Sequence, residues 1–179
     1  MVLGDPYDFS IILDVVDKWN QKDSYSFYNG ILTFYIGGIA FPHEMVNATL
    51  GCEVPNLVDQ FSQVPVNKKL FDMKKEEAFL EIYHNIYQED IDIDNDYRYD
   101  MTPFCFVDND CYVFAVSDGQ RVRFLASVLE YRQEEGLHGL DNIEVAEAYI
   151  SVDDMAELIS KLKTQLQIFI NENRRFDTK

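Results

Sequence analysis

Two apolar runs, Cys111–Ser117 (CYVFAVS) and Arg121–Leu129 (RVRFLASVL), flank the pair Asp118-Gly119. Asp-Gly readily adopts the left-handed backbone that a two-residue hairpin turn requires, so these runs are expected to lie side by side as antiparallel strands. Phe104 to Val107, set off by Asp108-Asn109-Asp110, reads as a third strand of the same meander. A second hairpin is expected upstream. Ile31 to Ile36 (ILTFYI) is strand-like, Gly37-Gly38 supplies positive φ, and Ile39 to Phe41 returns before Pro42. Phe9 to Val16 reads as a buried strand, Asn29-Gly30 as a tight turn, and Ala48 to Val54 and Ile143 to Ile150 as further strands.

Helices separate these groups. Asn56 to Gln63 reads as a short one, stopped by Pro65. Asp72 is a plausible N-cap for the next, in which Phe79, Ile82, Tyr83 and Ile86 fall at i, i+3, i+4, i+7. Ser151 with Asp154 resembles a capping box. Behind it Met155, Leu158, Ile159, Leu162, Leu166 and Ile170 form one apolar face. The order predicts an α+β fold: an antiparallel sheet built from hairpins, with a mid-chain helix and a C-terminal helix packed on it. The chain of 179 residues reads as a single domain over residues 1–170 with a frayed polar tail over 171–179. The excess of Phe (13) and Tyr (11) favours strands over a helical bundle.

Lys+Arg 15 against Asp+Glu 32 gives a formal net charge of −17. That balance argues against nucleic acid or anionic membranes, which need clustered cations, and favours basic partners. No apolar run approaches the ~20 residues of a membrane span. The N-terminus MVLGDPYDFS has neither a cationic nor an apolar leader region. The three cysteines (Cys52, Cys105, Cys111) form no CxxC, which fits a reducing cytoplasm.

The acids concentrate in Glu89 to Asp100 (EDIDIDNDYRYD), where six of twelve positions are carboxylates. Such a segment repels itself unless a cation neutralises it. A calcium loop beginning at Asp90 has Asp92 and Asp94 in place but Met101 where a bidentate Glu is needed, so the match fails at the strongest ligand. A basic protein surface suits the segment better. Asp92, Asp94, Asp96 and Asp100 supply charge, Tyr97 and Tyr99 supply aromatic anchors, with Tyr87 nearby, and Arg98 pairs with a neighbouring Asp to hold the loop. A purely structural segment, with Asp side chains capping turns, is the alternative; contacts would then lie elsewhere on the acidic surface, at Glu130 to Asp141. Catalysis has little support. His43, His84 and His138 are far apart in sequence, His138 reads as exposed, and Cys105 reads as a buried thiol.

Several segments in order resemble a known family. They are Gly4-Asp5-Pro6 with Phe9, Trp19-Asn20, and Asn29-Gly30 leading into Phe34 and Ile36. Asp92 to Asp100 with Thr102-Pro103 follows, then Phe114-Ala115-Val116-Ser117 with Gly119 and Arg123. Together, from about Gly4 to Leu162, they resemble the immunity protein 42 family of bacterial polymorphic toxin systems. The resemblance implies a cytoplasmic, non-enzymatic antitoxin that binds a cognate toxin domain and needs no cofactor or metal. A basic toxin, such as a nuclease with a cationic cleft, would suit the acidic loop. An acidic calcium-binding or regulatory module and a small hydrolase or transferase are the competing readings.

Overall fold

A computed structural model describes the chain apart from residues 21–26, 89–91, 93, 133–136 and 177–179. Its elements are β1 (Val2–Gly4), β2 (Phe9–Val15), β3 (Asn29–Ile36), β4 (Ile39–Phe41), β5 (Asn47–Thr49), α1 (Leu50–Ser62), α2 (Lys68–Asp72), α3 (Lys75–Ile86), α4 (Phe104–Val107), β6 (Cys111–Ser117), β7 (Arg121–Val128), β8 (Glu130–Arg132), β9 (Leu137–Gly139), β10 (Ala146–Ser151) and α5 (Val152–Phe176). The fold is α+β with antiparallel sheets, as the hairpin signals require.

One sheet runs β1-β2-β3-β4, with β5 also paired to β3. Its strands alternate: Phe9, Ile11 and Leu13 of β2 and Leu32, Phe34 and Ile36 of β3 are buried, and their neighbours are mostly part-exposed. That is the pattern of a sheet with one covered face. The second sheet runs β10-β7-β6, and every residue of β6 is buried. Both of its faces are covered, which explains the unbroken apolar run in the sequence. Val113, Ala115, Phe124 and Ala126 join the core shared with the first sheet, α1, α4 and α5. Tyr112, Phe114, Val116 and Leu125 join a second core with α2 and α3.

Phe9 lies flat on Phe124, with ring centroids 3.7 Å apart and planes 3° apart. Phe61 of α1 meets both rings edge-on, and Phe106 of α4 meets Phe34 edge-on. The edge-on pairs each add about 0.5–1.5 kcal/mol beyond area burial. Arg123, in the central strand β7, is almost fully buried. It donates to Glu147 of β10 through Nε and Nη2 and to the Phe71 and Met73 carbonyls through Nη1. It thereby closes the C-terminal end of α2 and ties that helix to the sheet.

Several sequence expectations are corrected here. Asn29-Gly30 is no turn but the start of β3. A Cβ on Gly30 would stand 2.1 Å from the Asp14 carbonyl oxygen, so glycine is there for close strand approach. Of Ala48 to Val54 only Ala48 and Thr49 are strand, at the end of β5; helix begins at Leu50 and runs through Pro55. Its first N–H groups, on Leu50 and Gly51, donate to the carbonyls of Tyr28 and Phe27, so the helix start is capped by the residues that lead into β3. Pro55 sits in the second turn and forfeits a single helical hydrogen bond.

Asp72 ends α2 rather than capping α3, and the side-chain N-cap in this region is Asn67, on Leu70 N–H. Phe104 to Val107 forms the short helix α4, so the third strand of the meander is β10 instead. The cause is Glu53, buried in α1, whose two carboxylate oxygens accept the N–H groups of Phe104 and Cys105 at 3.1 and 3.0 Å. Ser151 and Asp154 do form a reciprocal cap at the start of α5. That helix reaches Phe176, through part of the stretch read as a polar tail, and residues 177–179 lie outside the described residues.

Removing the Glu53 carboxylate leaves the N–H groups of Phe104 and Cys105 without their acceptor, the second of them in a buried position. Glu53→Ala is expected to cost roughly 2–4 kcal/mol, with Glu53→Gln intermediate because one acceptor oxygen survives. Urea unfolding of both variants measures this; an unchanged midpoint for Glu53→Ala would remove the capping role.

Candidate functional site

The acidic segment follows α3 directly. Glu89 and Asp90 lie outside the described residues. From Asp94 onward the chain is held to the body. Asp96 N–H donates to the Asn85 carbonyl near the end of α3 at 2.8 Å. The Asp96 carboxylate accepts from the Arg98 backbone N–H and from the Arg98 guanidinium Nε and Nη2 at 2.8 and 2.7 Å. These hydrogen bonds hold the Asp96 carboxyl below its ordinary pKa and close a short 3-10 turn over Tyr97–Tyr99. Arg98 therefore does pair within the loop, as read from sequence.

The six candidate residues divide. Asp92, Asp94 and Tyr97 are exposed, Tyr97 at 56%. Asn95 Nδ2 donates to the Tyr97 hydroxyl at 2.9 Å and steadies the ring at the surface. Asp96 is half-buried and occupied by Arg98. Tyr99 is buried, its hydroxyl accepting from Asn67 Nδ2 at 3.0 Å, so it anchors the loop inward rather than presenting an aromatic face. Asp100 is half-buried too; its Oδ1 accepts Thr102 N–H at 3.0 Å, and it forms a bridge to Phe114 at the edge of β6. Burial raises the Asp100 pKa against that hydrogen bond. Met101, where a calcium ligand would have to stand, is buried in the core. The loop thus presents Asp92, Asp94 and Tyr97 on a frame built from Asp96, Arg98, Tyr99 and Asp100.

Beside it lies a polar nest the sequence did not reveal. His138 on β9 is not exposed in a loop but mostly buried, with Nδ1 3.0 Å from the Tyr83 hydroxyl and Nε2 3.0 Å from Asp110 Oδ1. Tyr112 and Tyr131 set their rings edge-on to it. Burial, and after it the Asp110 charge, raises the Tyr83 pKa, and burial likewise raises Tyr87 and Tyr112. These phenols stay neutral and act as hydrogen-bonding and packing groups that pin the β8–β9 hairpin onto α3 and β6. Burial and then the Glu53 charge raise the Cys105 thiol, and burial lifts Cys111 to about 12, so neither is a nucleophile at neutral pH. His84 is exposed on α3. The spacing of His138, Tyr83 and Asp110 in the sequence, in three separate elements, gives no hint of the nest.

Comparison with known proteins agrees with the resemblance read from the sequence. The family model described as immunity protein 42 matches residues 1–165. No curated protein matches the chain. Among solved structures, the crystal structure of CdiI from Burkholderia dolosa AUO158 is similar in fold, with a TM-score of 0.73 and 19% sequence identity. The alignment covers 92% of this chain and 99% of that one.

A carboxyl whose pKa is raised in the folded state favours folding when protonated. That contribution is fully present below the unfolded pKa and is lost as pH rises through the folded one. The charged form of Asp100 therefore opposes folding near pH 7. Asp100→Asn, which keeps an acceptor for Thr102 N–H, is expected to unfold at a higher denaturant concentration at pH 7. The gain should shrink as pH falls through the Asp100 folded-state pKa. Paired denaturation curves at pH 7 and pH 4 measure it, and a lower midpoint at pH 7 would show that the carboxylate charge itself is needed.

Proposed function

We propose that this chain, which belongs to the immunity protein 42 family, neutralises a cognate toxin domain in the cytoplasm by binding it without catalysis. The observation that carries the reading is the family match across residues 1–165. A formal charge of −17 supports a basic partner, since complementary charge speeds encounter and selects partners. A toxin that cuts nucleic acid needs a cationic cleft to hold phosphates, and an acidic loop can fill such a cleft as a phosphate mimic.

Within the loop, Asp92 and Asp94 carry the charge and Tyr97 is the aromatic anchor. Asp96, Tyr99 and Asp100 hold the frame in register. This assignment is supported by the exposure of Asp92, Asp94 and Tyr97 and by the burial of Tyr99. Because the frame is tied to α3 and β6, the exposed side chains are presented in a fixed shape, which lowers the entropic cost of binding.

The test uses the toxin domain encoded beside the gene. Co-expression of this chain is expected to rescue growth of cells making that domain, and the purified pair should associate with a rate that falls as salt rises. Asp92→Asn/Asp94→Asn/Tyr97→Ala should keep its thermal midpoint but associate about tenfold more slowly at low salt, with a flatter salt dependence. Unaltered kinetics in that variant would move the contact away from the loop. Absence of both rescue and binding by the unmodified chain would end the immunity reading.

A further inference from the structure

We infer that a groove at the opposite end of α3 from the acidic loop is a second docking site, taking an extended segment of the toxin that carries Lys or Arg side chains. The inference rests on the proposed immunity role. The groove is a cavity of about 650 Å³ between β4, the first turn of α3 and the segment that leads into β10. Its floor is apolar: Phe41, Val145 and Ala146 are buried there, and Ile39 and Val128 stand in the walls at 48% and 41% exposure.

Above that floor the charge is one-sided. Glu76, Glu130, Asp141 and Glu144 line the groove with a single lysine, Lys75, whose Nζ lies 3.8 Å from Glu76. Glu130 and Glu144 have no ion-pair partner among the described residues. Two exposed β-strand and loop carboxylates over an apolar trough match the two halves of a Lys or Arg side chain: the alkyl stem packs on the trough while the charged head meets the rim. An apolar centre with a polar rim is also the anatomy of protein interfaces. Among the described residues no group of acids and histidines is arranged to hold a metal, so the carboxylates are not explained as ligands.

The walls are fixed before any partner arrives. Glu130 and Gly139 belong to the β8–β9 hairpin, which His138 fastens to Tyr83 and Asp110. Opposite, the Gly37-Gly38 turn that sets β4 packs against the Glu147 carbonyl, where a Cβ on Gly37 would stand 2.7 Å from the oxygen. A 12-residue helix is about 18 Å long, so the groove and the acidic loop are separated by about the length of α3.

Glu130→Gln/Glu144→Gln tests this against a control, Asp153→Asn/Glu157→Gln on α5, which changes the formal charge by the same amount. Affinity for the toxin domain encoded beside the gene is measured for both by surface plasmon resonance. Thermal melting of each variant checks folding. The groove variant should bind at least tenfold more weakly than the unmodified chain and the control within twofold of it. Ile39→Arg, which blocks the groove with a cation, should weaken binding further. Equal losses in groove and control variants mean that only total charge matters, and overturn the groove. So does wild-type affinity in both Glu130→Gln/Glu144→Gln and Ile39→Arg, an outcome that leaves the immunity function standing. Spermidine binding seen by calorimetry and lost in Glu130→Gln/Glu144→Gln, with toxin affinity unchanged, would make the groove a small-cation site and likewise overturn the proposal. If the unmodified chain does not bind the toxin domain at all, the failure lies with the immunity role itself.

Discussion

Five phenylalanine rings hold this molecule together. Phe9 from β2, Phe34 from β3, Phe61 from α1, Phe106 from α4 and Phe124 from β7 meet in one continuous set of stacked and edge-on contacts. The two sheets share no strand pairing in the described residues, so side-chain packing, with these rings at its centre, sets them against each other. With Phe124 committed to the first core, Phe114 and Leu125 on the other face of the second sheet are left to hold α2 and α3. The orientation of α3 then fixes both acidic regions, one at each of its ends. The shape of this surface is downstream of a buried aromatic contact.

How much could be read in advance follows from where each signal resides. The β6–β7 hairpin was legible because Asp118-Gly119 and the flanking apolar runs are adjacent in sequence, and α3 and α5 were legible because their apolar periods are internal. The misread elements share a different cause. The start of α1 is capped by carbonyls of Phe27 and Tyr28, α4 by the carboxylate of Glu53, and the end of α2 by Arg123. Each cap comes from far along the chain, so local sequence around the helix end carries no trace of it. The same holds at the surface. The acidic loop announced itself as a run of Asp, yet the run did not say that Tyr99 turns inward or that Asp96 and Asp100 are already engaged. The groove was beyond reach because its lining is drawn from β4, α3, β8, β9 and the approach to β10.

An acid-rich chain must settle its own repulsion before it can use charge on a partner. Here the arrangement is economical. Arg98 is used on Asp96 inside the loop and Arg121 on Asp118 inside the hairpin turn, while Arg123 is buried and pairs with the part-exposed Glu147. Lys68, Lys74 and Lys161 sit in helical pairs with acids nearby in sequence. Cations are thereby assigned to shaping local structure. Carboxylates such as Asp94, Glu130 and Glu144 are left facing solvent, which is the polarity a positively charged protein surface would meet.

The link between Glu53 and α4 also ties one helix to another. A helix of four residues cannot persist alone, because nucleation is unfavourable and nothing propagates from it. α4 must wait for an acceptor fifty-one residues upstream, and that acceptor is aimed only once α1 has wound and docked. Closing so long a loop is slow relative to local winding. α4 therefore depends on α1 for its cap. The turn that bears Phe106 thus owes its place in the aromatic cluster to a carboxylate on another helix.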